Sequence, residues 1–274
     1  MKKVFLLLTT ILTVVAGCSS STENGEISDG RKQLLLVPSE QITQLSAEGY
    51  EKVKGEAAAA GTLDKNPQQL ARLQIIANRL VPHTAQFRKD ASSWKWEVHV
   101  IASDQLNAFC MPGGKIMFYS GIIDKLSLTD AEIAAIMGHE IAHALREHGR
   151  ERMSEELVKS LGLNLLVATN KLDAKYAGAA NMLTALTISL PHGRKQETEA
   201  DVMGLELMAR AGYDPNAAVN LWKKMGAAGG AKPPEILSSH PSDSTRIKTL
   251  EGLVPKSFPI YQRSAKAPDA RGAG

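Results

Sequence analysis

Two periodicities divide the chain. From Ser39 to about Ala60, and again from Pro67 to Leu80, apolar residues recur at intervals of three and four, which predicts amphipathic helices. Pro67 suits a first helical turn. Residues 94–102, WKWEVHVIA, alternate instead: Trp94, Trp96, Val98 and Val100 face one side and Lys95, Glu97 and His99 the other. That predicts a half-buried strand with His99 on its exposed face. A short apolar strand is expected earlier, over Leu34 to Val37. In NAFCMPGGKIMFYSGII (107–123), Pro112-Gly113-Gly114 marks a turn before the strand-like Lys115 to Tyr119, so a hairpin is expected. Thr129, with Glu132 three residues on, forms a capping box for a helix whose Ile133, Ile136, Met137, Ile141 and Ala142 predict burial. Further on, 157–168 and 176–190 read as an apolar helical hairpin, each arm shorter than the roughly 20 residues that span a bilayer. A helix from about Arg194 to Ala211 should stop at Gly212, another should open at Pro215, and a last one should follow Pro241. The fold class is therefore α+β, mainly helical. The low aromatic content, 5%, agrees with that.

The ends read differently from the body. MKKVFLLLTTILTVVAGC has a basic start, an apolar stretch and small residues before Cys18, the pattern of a signal peptide over 1–17. VAGC resembles the bacterial lipobox, so Cys18 is the expected lipidation site and the membrane a partner through that anchor. Ser19 follows it, where inner-membrane retention uses an aspartate. The expected location is thus the periplasmic side of the outer membrane. Residues 18–33 read as lipidated cysteine and flexible tether, 34–255 as one domain, and 256–274, rich in proline, alanine and charge, as a disordered tail. Without Lys2 and Lys3 the 32 basic residues become 30 against 29 acidic ones, a balance that gives no reason to expect nucleic acid as a partner. Cys110, in AFCM, reads as a buried apolar residue.

Chemistry concentrates in IMGHEIAHALREHG, residues 136–149. At about 100° per residue, His143 lies about 40° from His139 on the helix, and Glu140 flanks both. His148 falls about 180° from His139, which predicts a surface residue, and Glu147, about 80° away, fringes the cleft. His139-Glu140-Ile141-Ala142-His143 is the HExxH motif: two zinc ligands and a glutamate beside the attacking water. A catalytic zinc takes a third protein ligand. Arg146 and Gly149 exclude the extended form that continues to a third histidine. The candidate is instead RKQETEADVMGLELM (194–208), where Glu197 and Asp201 share a helix face. Glu197 would bind the metal and Asp201 would orient a ligand imidazole. Glu199 points away, beside Lys195.

HExxH followed by ExEAD resembles the HtpX and CAAX-prenyl-protease type of gluzincin metallopeptidase. The lipobox and single short domain resemble its periplasmic lipoprotein branch, the LoiP, YcaL and BepA-like proteins. The resemblance runs from about Leu34 to Val254, through QLLLVPSEQ, NAFCMPGGKIMFYSGI, GHEIAHALREHGRERM, ETEAD and SSHPSDSTRI. It implies a zincin-like domain with a small sheet beside the HExxH helix, and one Zn2+ on His139, His143 and Glu197 with Glu140 as base. The family's HPxxxxR element maps onto His240, Pro241 and Arg246. His240 would stabilise the tetrahedral intermediate or occupy the fourth metal position in a resting form. Arg246 would support the ligands. The implied activity is endopeptidase cleavage of misfolded or unassembled envelope proteins, with substrate laid along the sheet edge at about Lys115 to Tyr119. The competing reading is a non-proteolytic assembly factor or holdase with a latent zinc site. A purely structural zinc site would prefer cysteines, which this set lacks.

Overall fold

The computed structural model describes residues 18–164, 178–228, 235–240 and 244–266. The expected leader, 1–17, lies outside them, as does part of the apolar hairpin read over 157–190.

Strands β1 (Cys18–Ser19) and β2 (Gln33–Leu34) pair antiparallel, so the expected strand at Leu34 to Val37 begins one residue early and is short. The segment between them, expected to be a free tether, is packed. Glu206, fully buried, accepts hydrogen bonds from the backbone N–H groups of Glu26, Ile27 and Ser28 at 2.9, 3.0 and 3.2 Å. A buried carboxylate demands such donors, and a strap of polar residues supplies them without side-chain apolarity.

Helix α1 (Ser39–Ala59) and helix α2 (Pro67–Leu80) start where expected. Asn66 caps α2 by accepting from Gln68 N and Gln69 N. Two 3-10 turns lead into the sheet: β3 (Glu97–Ile101), β4 (Ala108–Met111) and β5 (Lys115–Tyr119). The strand order is β3-β5-β4, with β5 parallel to β3 and antiparallel to β4. The hairpin is present, its turn carried by Gly113 and Gly114 at φ 85° and 82°. The parallel pairing puts β5 in the middle, however. Its backbone groups are spent on two neighbours, so Lys115 to Tyr119 offers no edge to a substrate. His99 is half-buried rather than exposed, its Nδ1 lying 2.6 Å from Asp64 Oδ2.

After α3 (Ser120–Lys125) comes α4 (Asp130–Leu145), started by the expected Thr129–Glu132 capping box. Every residue from Glu132 to Leu145 is buried, because α4 runs between β4 on one side and α2 and the later helices on the other. Next are α5 (His148–Asn164), α6 (Ala179–Thr184) continued by a π turn at Ala185–Ser189, and α7 (Arg194–Arg210). Helix α8 (Asn216–Ala228), the short α9 (Glu235–Ser239) and α10 (Ser244–Lys266) complete the described chain. Helix α10 crosses Pro255 and Pro259, so the tail expected from 256 is helical to Lys266. Leu250, Ser257 and Ile260 are buried along it, and packing on α7 and α8 outweighs the local helix-breaking tendency. No described helix is long and apolar enough to cross a membrane.

Candidate metal centre

The centre exists because α4 and α7 touch backbone to backbone. A Cβ on Gly138 would stand 2.9 Å from Gly204 O, and one on Gly204 would stand 2.8 Å from His139 N. Two glycines at the crossing bring the face carrying His139 and His143 against the face carrying Glu197 and Asp201.

His139 Nε2 and His143 Nε2 are 3.0 Å apart, and Glu197 lies 3.5 Å from the first and 3.3 Å from the second. His240, from the end of α9, places its Nδ1 3.2 Å from His139 Nε2 and 2.9 Å from Glu197 Oε1. One ligand atom from each of the four lies within 4.8 Å of every other. Tetrahedral zinc, with bonds of about 2.0–2.1 Å to nitrogen and oxygen, sets donor separations of about 3.3 Å. The spacings match. Three imidazoles and a carboxylate converging in a buried space are also the donor types that a zinc ion takes.

Asp201 Oδ1 is 3.0 Å from His139 Nδ1, which keeps the proton there and leaves Nε2 for a metal. Arg246 grips Asp201 with Nε and Nη2 at 2.6 and 2.7 Å, reaches Glu197 Oε2 with Nη1 at 2.7 Å, and stacks 3.6 Å over the Trp222 ring. Glu140 is buried, and its Oε1 lies 3.5 Å from His240 Nε2 with no hydrogen bond to that oxygen among the described residues. Burial pushes its carboxyl up, against the opposing pull of His240 and His139. Burial acts on Glu197 too, but His240, His139 and His143 outweigh it and hold that carboxyl well below its usual range.

Two expectations fail at the end of α4. His148 is fully buried, not on the surface: its Nδ1 meets His143 Nδ1 at 2.8 Å and its Nε2 meets Glu199 Oε2 at 3.0 Å. The helical angle count stops being valid at Glu147, whose φ of 50° ends the α4 spiral before α5 begins. Glu147 itself is buried, paired with Ser39 and Arg150, rather than fringing the cleft. Glu199 does point away from Glu197, but toward His148, Arg146 and Arg31 instead of into solvent beside Lys195. It is pulled down to about 2, because these three outweigh the opposing effect of burial.

His192 was not singled out by the sequence. It is buried at the entry to α7, its ring 4.2 Å from that of His143 and 5.0 Å from that of His240. The one local hint is its place four residues before the last in Pro191-His192-Gly193-Arg194-Lys195-Gln196, just ahead of Glu197. Arg146, also fully buried, was equally invisible.

Residues 67–254 match Peptidase family M48, a span that contains every residue of this centre. Mitochondrial metalloendopeptidase OMA1 of Schizosaccharomyces pombe is 38% identical over 168 residues, 61% of this chain and 49% of that protein. Metalloendopeptidase OMA1 of Homo sapiens is 31% identical over 248 residues, 85% of this chain and 46% of that protein. Metalloprotease LoiP of Escherichia coli is 23% identical over 261 residues, 90% of this chain and 95% of that protein. The chain thus spans about half the length of the first two. These relatives correct one expectation. Those at 31–39% identity are mitochondrial, which overturns the location on the periplasmic side of an outer membrane. The lipid anchor at Cys18 was tied to that location and gains no support from them. With its donor cluster lying inside the matched span, the chain belongs to Peptidase family M48, a family of zinc metalloproteases.

Proposed function

We propose that this chain is a zinc endopeptidase that hydrolyses peptide bonds in extended segments of unfolded or misfolded polypeptides. The observation that carries this reading is the convergence of His139, His143 and Glu197 on one point with Glu140 buried beside them. A zinc ion on those three residues would supply Lewis acidity to a water molecule and to the scissile carbonyl. Glu140, its carboxyl raised by burial, is suited to accept the water's proton and deliver it to the leaving amine. Asp201 keeps the ring of His139 in the ligating tautomer, and Arg246 holds Asp201 and Glu197 in place. His240, with its Nδ1 beside His139 and Glu197, would offer a bound zinc ion a fourth protein ligand, and it would have to withdraw for a substrate carbonyl to approach. The sheet edge beside α4 is β4, and we place the substrate strand along Ala108–Met111 in place of the β5 edge.

The test is cleavage of an unfolded protein such as casein alongside zinc content. Glu140→Gln should retain zinc and lose cleavage. Undiminished cleavage by that variant would end this reading. A second reading, a non-proteolytic assembly factor with a latent site, draws on the way His240 is held. Its segment is tied by Ile236 N to Leu106 O at 3.0 Å and by His192 N to Ser239 O at 2.9 Å. Zinc binding with no cleavage of any unfolded substrate by the unmodified protein would favour it.

A further inference from the structure

His139 has the carboxylate of Asp201 on its outer nitrogen, but among the described residues no carboxylate reaches the outer nitrogen of His143. That nitrogen faces His148. From this we infer that His148 is a positioning residue for His143, locked in turn by Glu199, Arg146 and the N-terminal strap residue Arg31. The inference rests on the metal reading above and deepens it.

The proton bookkeeping has one self-consistent solution. For His143 Nε2 to present a lone pair to a cation, its proton must sit on Nδ1. That N–H donates to His148 Nδ1 at 2.8 Å, which must then be unprotonated. The His148 proton sits on Nε2 and donates to Glu199 Oε2 at 3.0 Å. Glu199 can end the chain only as a carboxylate held still. Arg146 Nη2 donates to Oε2 at 3.1 Å, and Arg31 Nε donates to Oε1. Arg31 is fixed by two further bonds to Glu151, at 2.5 and 2.8 Å. Arg146 is fixed by Thr22 Oγ1 at 2.6 Å, and its carbonyl accepts from Gln33 Nε2 at 2.7 Å.

The strap between β1 and β2 therefore completes the support of a metal ligand. The strap has a second anchor outside this network: Glu206 accepts from the backbone of residues 26–28 and from Arg210, and among the described residues it bonds to no ligand of the cluster. The break at Glu147 also acquires a purpose. A continuous helix would carry His148 away from His143, whereas the left-handed residue turns it back. The same arrangement gives the two histidine ligands different supports, a carboxylate for His139 and a neutral imidazole with a distant carboxylate for His143.

The experiment uses the full chain and reads zinc affinity by chelator competition, together with the visible spectrum of the cobalt-substituted protein. His148→Leu removes the acceptor and should weaken zinc binding by about 10–100-fold and shift the cobalt bands. His148→Gln, which keeps an acceptor oxygen and a donor, should recover most of the loss. Arg31→Gln should weaken binding by about tenfold or less, as expected of a more distant support. Wild-type affinity and an unchanged cobalt spectrum in His148→Leu would overturn the inference. So would equal losses in the Leu and Gln variants, which is what a purely structural role gives. If His148→Leu does not fold, Arg31→Gln and Glu199→Gln decide, and unchanged affinity in both overturns it. Absence of stoichiometric zinc in the unmodified protein would instead overturn the metal reading on which it rests.

Discussion

Gly204 approaches His139 so closely that an added Cβ would lie 2.8 Å from the His139 backbone nitrogen and 2.9 Å from its Cα. Both glycines of this crossing sit inside helices, where alanine has the better intrinsic propensity by about 1 kcal/mol. The contact reverses that sign, because the atoms in the way are backbone and cannot rotate aside. Gly204→Ala should lower stability by about 1–3 kcal/mol, the usual range for overpacking, and weaken zinc binding by separating Glu197 from the histidines. Thermal unfolding and zinc titration check both effects. A stabilised variant with intact zinc binding would show that the helices can part without cost.

Arg246 is the buried cation that balances Asp201 and Glu197. Arg246→Met keeps volume and removes charge, leaving two buried carboxylates without their partner. A loss of about 3–5 kcal/mol is expected. Arg246→Lys should not rescue it, because an ammonium cannot grip Asp201 at two atoms, reach Glu197 and stack on Trp222 together. Denaturant unfolding of the two variants tests this, and full rescue by lysine would reduce Arg246 to a point charge.

The strap makes a prediction separable from the metal. Glu206→Ala leaves the N–H groups of Glu26, Ile27 and Ser28 without their acceptor. The strap should open, at a cost of about 1–3 kcal/mol for buried groups left unsatisfied. Limited proteolysis should then cut within residues 20–32. An uncut strap would show that Arg31 and Gln33 suffice to hold it.

Acid stability should report Glu151. Burial pushes its carboxyl up, but Arg31, Gln196 and Gln33 outweigh that and leave it below the usual glutamate value. A depressed native pKa contributes stability above the unfolded-state value of 4.5, and this is lost as pH falls from there through the lower native pKa. Glu151→Gln should therefore be less stable near neutrality and show a shallower loss of stability below pH of about 4.5. Parallel acid-unfolding curves for the two proteins would remove Glu151 from this role.

Much of the local plan is written in adjacent residues. The i,i+4 spacings of His139 with His143 and of Glu197 with Asp201 place each pair on one helix face whatever the rest of the chain does. Asn66-Pro67, the Thr129–Glu132 box and Pro112-Gly113-Gly114 act over a few residues, and their elements begin and turn where those residues say. The HExxH motif and the downstream acidic pair were legible for this reason.

Other features depend on partners that no local pattern names. The place of β5 between β3 and β4 follows from a parallel pairing with a strand fourteen or more residues earlier in sequence, which strand propensity does not encode. Polar residues 20–32 look like a linker until Glu206 supplies a buried acceptor about 180 residues away. Pro255 and Pro259 look like a tail until α7 and α8 offer α10 a surface to bury against. His148 looks exposed while the helix is imagined to continue, and one left-handed residue at Glu147 turns it inward to His143. By itself the sequence determined which residues could ligate and which helix faces carry them, because periodicity is a local property of the backbone. Only the tertiary structure decided what each ligand leans on, because a buried polar group is stabilised by whatever partner the fold brings within hydrogen-bond reach.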